Sequence, residues 1–454
     1  MELKDYFSDL VNQGDFGNLV VYKSESTSMQ KKYDGIRVQK SYSYGMSIEL
    51  EYNGNWVFGY SSIVTKEEAS RLVSKLYKKL MQMPPSKLIP TDSIESNKSN
   101  VHLKQEYDPR NIEIEEKIGL VNETYKLLQE IPNASFEIGY NDKTTSWELY
   151  NTAGSEIAAT ECYPTIGVRP IIKVSGRTHT MANKSIGGNA DMRSLSEENI
   201  KGLVADVRKT VSEIKSIKTI KSNRYNIILD ELATSALVHE IFGHTSELNI
   251  YRRGDDPSMK LAGRQAYPKM ITVIDDPTIP NLGGSFLYDQ EGTKSRKKVL
   301  IEKGIRKEYI NSLETAFKTD AECHGSARSM SFNIRPIPRM SNIYLEGGDY
   351  TKEELISDTR EGVIVYGNKG GSVDSKLDDF ILFPEYGQLI HNGDLAEYVQ
   401  INSIIGHAYT LPNNIDALSK ETKLYTTGCR KSGEYLYVSD GGPMCRIRNV
   451  IVNG

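Results

Sequence analysis

At 454 residues the chain is too long for one ordinary hydrophobic core, so two domains or one large composite are expected. With 38% hydrophobic and 26% charged residues it reads as globular and soluble, and a net charge of −4 with a pI near 6.1 excludes any global attraction to nucleic acid or anionic membrane. No apolar run reaches the length of a membrane span, and the opening MELKDYFSDL lacks a signal peptide's basic-then-apolar layout, so the expected location is the cytoplasm.

Taken in order, residues 2–13 have the pattern of a short amphipathic helix. Strands are expected at Asn18–Ser24, Gly35–Ser41, Met46–Tyr52 and Trp56–Tyr60, the last two joined by Asn53-Gly54, a strong hairpin-turn pair. Thr65 and Glu68 form a capping box that opens a helix running to about Met83, where Pro84-Pro85 ends it. The polar stretch 91–100 reads as an exposed linker. A helix follows from about Arg110 to Ile131, then strands at 134–140, 145–151, 156–162 and 167–174, a loop over 176–190, and a helix over 195–216.

From about residue 222 the texture changes to strands and long loops around one apolar helix. Strands are expected at 268–275, 297–302, 306–310, 341–346, 362–367, 378–383 and 386–391, with one later helix from Thr351 to about Asp358. The fold class expected is therefore α+β. An N-terminal domain of helices and antiparallel sheet (1–220) precedes a β-rich domain (221–454) built around that one helix. No G-x-G-x-x-G opens a helix after a strand and no G-x-x-x-x-G-K-[ST] occurs, which removes support for nucleotide binding.

The chemistry is concentrated in residues 226–254, NIILDELATSALVHEIFGHTSELNIYRRG. Leu232, Ala236, Leu237, Ile241 and Phe242 recur at near-helical spacing, and His239, Glu240 and His244 sit on the same segment. Two imidazoles are neutral nitrogen ligands for a metal, and a neighbouring carboxylate can take a proton from water. In H-E-x-x-H the histidines lie roughly 40° apart around the helix, whereas five-residue spacing separates them by roughly 140°. Both can ligate one ion only if the helix is over-wound, bulged or ended between them, and Gly243 is the residue that tolerates such a change.

Two protein ligands fall short of the three usual at a catalytic zinc. Of the four cysteines, none in a C-x-x-C pair and all expected to be reduced, Cys323, Cys429 and Cys445 lie in the second half. Spacing does not choose among them, and Cys162 lies in the first half.

HEIFGH with IYRRG, then YDQEGTKSRKKVLIEKG (288–304), RPIPRMSNIYLEGGD (335–349), VYGNKGGSVD (365–374) and TTGCRKSGEYLYVSDGGP (426–443), resembles the TldD/PmbA family of metalloproteases, once called modulators of DNA gyrase. The resemblance is to the TldD type, because the PmbA (TldE) type lacks the histidine motif. It implies a zinc held by His239, His244 and a cysteine in a segment of form G-x-C-G-K-x-G. That segment maps to Thr427–Gly433 and singles out Cys429, with Arg430 standing where the family commonly has glycine. It also implies Glu240 as the base that takes a proton from water and returns it to the leaving amine. The expected substrate is a short or unfolded peptide, and the expected partner a TldE/PmbA-type subunit or a second copy of the chain, with no nucleic acid or membrane partner. His324, Arg328 and Arg339 are candidates for oxyanion stabilisation. The glycine-rich segments 283–285 and 370–372 either lie beside an extended substrate or form turns at sheet corners. The competing reading is a non-catalytic regulatory protein, a gyrase or toxin–antitoxin modulator, for which the sequence offers no basic stripe or helix-turn-helix signature.

Overall fold

The computed structural model describes residues 3–12, 15–86, 93–102, 107–174, 176–214, 216–248, 259–374 and 378–454. Alternating apolar and polar residues in the first 190 positions build one nine-stranded sheet. Its centre is a long hairpin, Phe16–Lys32 against Gly35–Tyr52, with Ala134–Asn151 paired on the other side of the first strand. The sequence suggested shorter pieces here. Polar residues such as Ser24 and Ser43 interrupt the apolar pattern, but they carry no turn chemistry, so the ladder runs through them. Asn53-Gly54 does turn the chain, with φ of 51° and 76°, into Asn55–Ser61.

Helices Leu3–Leu10 and Lys66–Leu80 cover one end of this sheet, burying Phe7, Leu72 and Leu76 against Leu19 and Ile48. Thr65 caps the second helix through the Glu68 N–H, while the Glu68 carboxylate turns to Arg71 and leaves the box half-closed. Ile114–Gln129 and Glu197–Glu213 cover the rest, with Val121 and Val204 packed on Ile138 and Val168. Two expectations are corrected. The linker at 91–100 ends in a strand, Lys98–His102, parallel to Glu156–Cys162; the loop at 176–190 contains strands Arg177–Thr180 and Lys184–Gly187, both paired with Thr165–Val174.

Among the described residues, every strand from Lys218 onward belongs to other sheets: one of ten strands, one of six and a two-stranded pair. Asn223–Leu229 runs through the middle of the larger sheet, parallel to Glu361–Tyr366 and antiparallel to Cys445–Asn453. The helix that follows it is sandwiched between the two large sheets. Val238, Ile241 and Phe242 share a core with Ile343, Val363 and Val438. The helix over Thr351–Asp358 is found at Lys352–Ser357, but a further one at Leu313–Thr319 went unforeseen. Its Ser312–Thr315 capping box uses a threonine where the familiar signature has Glu or Gln. Six strands after residue 393 were also missed. The mixed α/β, strand-rich architecture expected from the sequence is present. No helix among the described residues is long and apolar enough to cross a membrane.

Candidate metal centre

Asp230 ends the central strand and caps the helix, accepting the Ala233 N–H at 2.7 Å and the Gly367 N–H at 3.1 Å. The helix is α over Glu231–Leu237 and then changes. Val238–Gly243 is a π-turn, and His244–Ser246 closes as 3₁₀. The His244 N–H donates to the His239 carbonyl, an i→i+5 bond joining the two histidines themselves. A turn closed by such bonds brings residues five apart onto nearly one face, which an α-turn does not. Hydroxyls take up the displaced carbonyls. Thr245 Oγ1 donates to Ile241 and Ser246 Oγ to Phe242, and buried Arg306 donates to both hydroxyls.

The expected bulge is therefore a widened turn, and glycine serves it differently from the expectation. Gly243 has ordinary right-handed angles (φ −69°, ψ −65°). A Cβ there would stand 2.8 Å from Met340 Sδ and Cε and 3.3 Å from Ile343 Cδ1, so the glycine makes room for the side chains packed behind the turn.

A hairpin, Lys423–Lys431 and Glu434–Gly442, carries the third donor across. His239, His244 and Cys429 offer ligand atoms within 4.8 Å of one another, all three buried. Cys429 Sγ lies 3.6 Å from His244 Nε2, and the imidazole rings meet edge to face at 4.9 Å. Glu240 Oε2 is 4.0 Å from His244 Nε2. Arg430 lies in extended pairing opposite Tyr435, and the turn is made by Ser432 and Gly433 at φ 53° and 83°. The departure from glycine at 430 thus costs no backbone strain.

Residues 222–454 match the family model described as the PmbA/TldA metallopeptidase C-terminal domain. A metalloprotease of Methanothermobacter thermautotrophicus is 30% identical over 449 residues, covering 98% of this chain and 97% of that one. The chain belongs to the PmbA/TldD family. A zinc metalloprotease TldD homolog of Saccharolobus solfataricus is 24% identical over 419 residues, 90% of each chain. TldE from Thermococcus kodakarensis shares the fold with a TM-score of 0.78 at 16% identity, over 100% of this chain and 99% of that one.

In this PmbA/TldD chain the donor atoms are held from behind by carboxylates that sequence reasoning missed. Asp440 Oδ1 holds His239 Nδ1 at 2.9 Å and its other oxygen takes the Thr427 hydroxyl; Glu247 Oε2 holds His244 Nδ1 at 2.9 Å. Each bond turns the second ring nitrogen toward the common centre. Glu247 also accepts the Met340 N–H and a 2.6 Å bond from Lys431, so its buried carboxyl is held far below the usual range; burial opposes this, and Lys431 and His244 outweigh it. A glutamate three residues after a histidine, and Ser-Asp-Gly-Gly in the quoted C-terminal block, were the available signals.

Burial also opposes charge on the donors. The Asp440 carboxylate and Cys429 nevertheless raise His239 well above its usual range, and Glu247 with Cys429 raises His244 to about 9. The two imidazoles in turn pull the Cys429 thiol down to about 5 against its own burial. A thiolate is the form that ligates metal.

The centre opens into a cleft of about 880 Å³ lined by Glu240, Lys369, Gly371, Ser372, Arg430 and Lys431. Gly371–Val373 is the edge strand of the ten-stranded sheet, and Gly371 faces Glu240. The other glycine-rich segment lies in the packing behind the site, with Gly283 and Gly284 donating to Ser439 and Asn342. None of the three oxyanion candidates lines the cleft. His324 packs with Arg296 and Glu308, Arg328 binds the Met340 and Tyr437 carbonyls, and Arg339 is spent on the Cys429 carbonyl and Glu434. Cys445 is buried in the central sheet opposite Leu229 and Leu418, away from the three donors. The IYRRG segment at 250–254 lies outside the described residues.

Proposed function

We propose that the chain is a zinc-dependent peptidase acting on short or unfolded peptides, as the catalytic partner of a TldE-type subunit. One observation carries this reading: two imidazoles lining an open cleft converge with the buried Cys429 sulfur behind them, and a carboxylate, Glu240, stands beside them. The donor set suits zinc. Two nitrogens and one sulfur are its borderline-soft preference, and three protein ligands are the number of an open, catalytic site, where a closed structural one takes four. His239, His244 and Cys429 would hold the ion. Bound there, zinc would lower the pKa of water and polarise the scissile carbonyl.

The chain's own residues supply the rest. Glu240 Oε2 takes the proton of the attacking water and passes it to the leaving amine. Asp440 and Glu247 fix the imidazole orientations through Nδ1. The edge strand Gly371–Val373 offers unpaired backbone to an extended chain, and its glycine leaves room beside Glu240. A fold shared with a TldE protein supports the pairing of like-folded subunits.

The test is a comparison of variants on an unstructured peptide, with metal measured in each. Glu240→Gln is expected to retain zinc and lose at least about a hundredfold in turnover. His239→Ala and Cys429→Ala are expected to lose both. Normal hydrolysis by the glutamine variant removes Glu240 as the base. A metal-free chain with no chelator-sensitive hydrolysis, alone or with the subunit that co-purifies from its source, favours the non-catalytic modulator reading.

A further inference from the structure

A second cavity, of about 260 Å³, lies where the N-terminal sheet meets the C-terminal half, and the reaction above makes no use of it. Its floor is one face of the sheet. Tyr22 stands opposite Trp147 and Thr145 opposite Glu161, while Lys143 and Tyr163 exchange backbone bonds on the same face. Phe286, Arg328, Tyr435 and Tyr437 form the opposite wall, with Tyr435, 40% exposed, at the rim.

The wall is aromatic but its polar groups are incompletely matched. Arg328 is committed to two backbone carbonyls. Lys143 uses one donor, to the Met330 carbonyl, and Glu161 accepts one bond, from the Tyr163 hydroxyl. The indole N–H of Trp147, only 2% exposed, leans toward Glu161 without completing a hydrogen bond of normal geometry. Burial pushes the Glu161 carboxyl up, against the pull of Arg328, and pushes the Lys143 ammonium down. Burial drives both shifts toward the neutral forms, and the opposite charges nearby, Arg328 and Lys143 for Glu161 and Glu161 and Glu434 for Lys143, only partly offset it.

We propose that this cavity binds a small zwitterion, a free α-amino acid or dipeptide. Its carboxylate meets the Lys143 ammonium and the Trp147 N–H, its ammonium meets Glu161, and its side chain lies among the aromatic rings. A single ligand carrying both charges satisfies the open donors and the open acceptor at once, and the π-faces favour its cation and its apolar side chain alike. The site is one strand from the metal centre, since Tyr435 and Leu436 pair with Arg430 and Cys429 across the hairpin. Binding here does not depend on the peptidase reading, so the test uses protein that cannot complete the donor set.

Trp147 is one of two tryptophans, so Trp56→Phe leaves it as the sole indole reporter. Phenylalanine, leucine and Gly-Phe are titrated into Trp56→Phe, His239→Ala protein, following emission, and into the unmodified chain by calorimetry. Saturable binding is expected, with N-acetylphenylalanine and phenylalanine amide at least about tenfold weaker, because each lacks one charge. Lys143→Met and Glu161→Gln are each expected to weaken binding by a similar factor. Absence of binding to the unmodified chain at millimolar ligand overturns the proposal, as does equal affinity for the capped analogues. Either result makes the cavity a hydrated void.

Discussion

The His244 imidazole and the Glu247 carboxylate, three residues apart where the site helix tightens into its last turn, are joined by a 2.9 Å hydrogen bond. Glu247 is fully buried, and its carboxyl is also fixed by Lys431 and by the Met340 backbone. The bond therefore ties one candidate metal donor to a frame made by two other segments. Glu247→Gln keeps the shape and removes the charge. Metal affinity, measured by competition with a chromophoric chelator, is expected to fall about tenfold to a hundredfold. Unchanged affinity would mean that the ring is oriented without the carboxylate.

Gly243→Ala sets two effects against each other. Alanine favours helix by about 1 kcal/mol, but its Cβ would sit 2.8 Å from buried Met340 and 3.3 Å from Ile343 Cδ1. Overpacking of this kind costs about 1–3 kcal/mol, so a net loss of stability is expected in denaturant unfolding. Met340→Val in the same chain should recover part of it, because the overlapping atoms are gone. Additive losses in the double variant would place the cost elsewhere.

Gly371→Val puts two methyl groups against Glu240 in the cleft, where the glycine's absent Cβ would lie 3.5 Å from Glu240 Cγ. Peptide hydrolysis is expected to drop at least about tenfold with zinc content unchanged, since a slight misplacement of a catalytic group is costly. Loss of metal in this variant would instead show that the edge strand supports the donors.

Glu385 predicts a pH dependence of stability. Its Oε1 accepts the Ala182 N–H at 2.9 Å, and burial pushes its carboxyl up from 4.5 to about 7. Between those values the folded state holds a proton that the unfolded chain has lost, so this group's contribution to stability falls as pH rises from about 4.5 to 7. Glu385→Gln lacks the penalty. It should be more stable than the parent by about 1–3 kcal/mol at pH 8, with the difference gone by pH 4. A difference independent of pH would assign the effect to packing.

How much of this was legible depended on whether a signal was local. His239, Glu240 and His244 announce themselves because ligand chemistry on an apolar helix is rare, and the five-residue spacing demanded a distortion that the π-turn supplies. The role of Gly243 was not legible, since its reason is Met340, nearly a hundred positions away. Cys429 could not be told from Cys323 or Cys445 by spacing, and only the resemblance singled it out. Asp440 and Glu247 were missed as supports because their signals, a Ser-Asp-Gly-Gly segment and a glutamate three residues after a histidine, do not by themselves point to an imidazole. The strand Lys423–Lys431 was missed because its polar and glycine residues, such as Thr426, Thr427 and Gly428, pair across a hairpin without apolar alternation, whereas Cys445–Asn453, with Ile447, Val450 and Val452, carried a strand signal that went unread.

His244 and Cys429 are separated by 185 positions, and the sulfur rides on a hairpin in the last tenth of the sequence. On the ribosome, the imidazoles emerge long before the sulfur that completes their set. A growing chain therefore carries an incomplete donor set from the addition of His244 until that of Cys429. Under the proposed function, the order of synthesis delays the chemistry until Cys429 has been added.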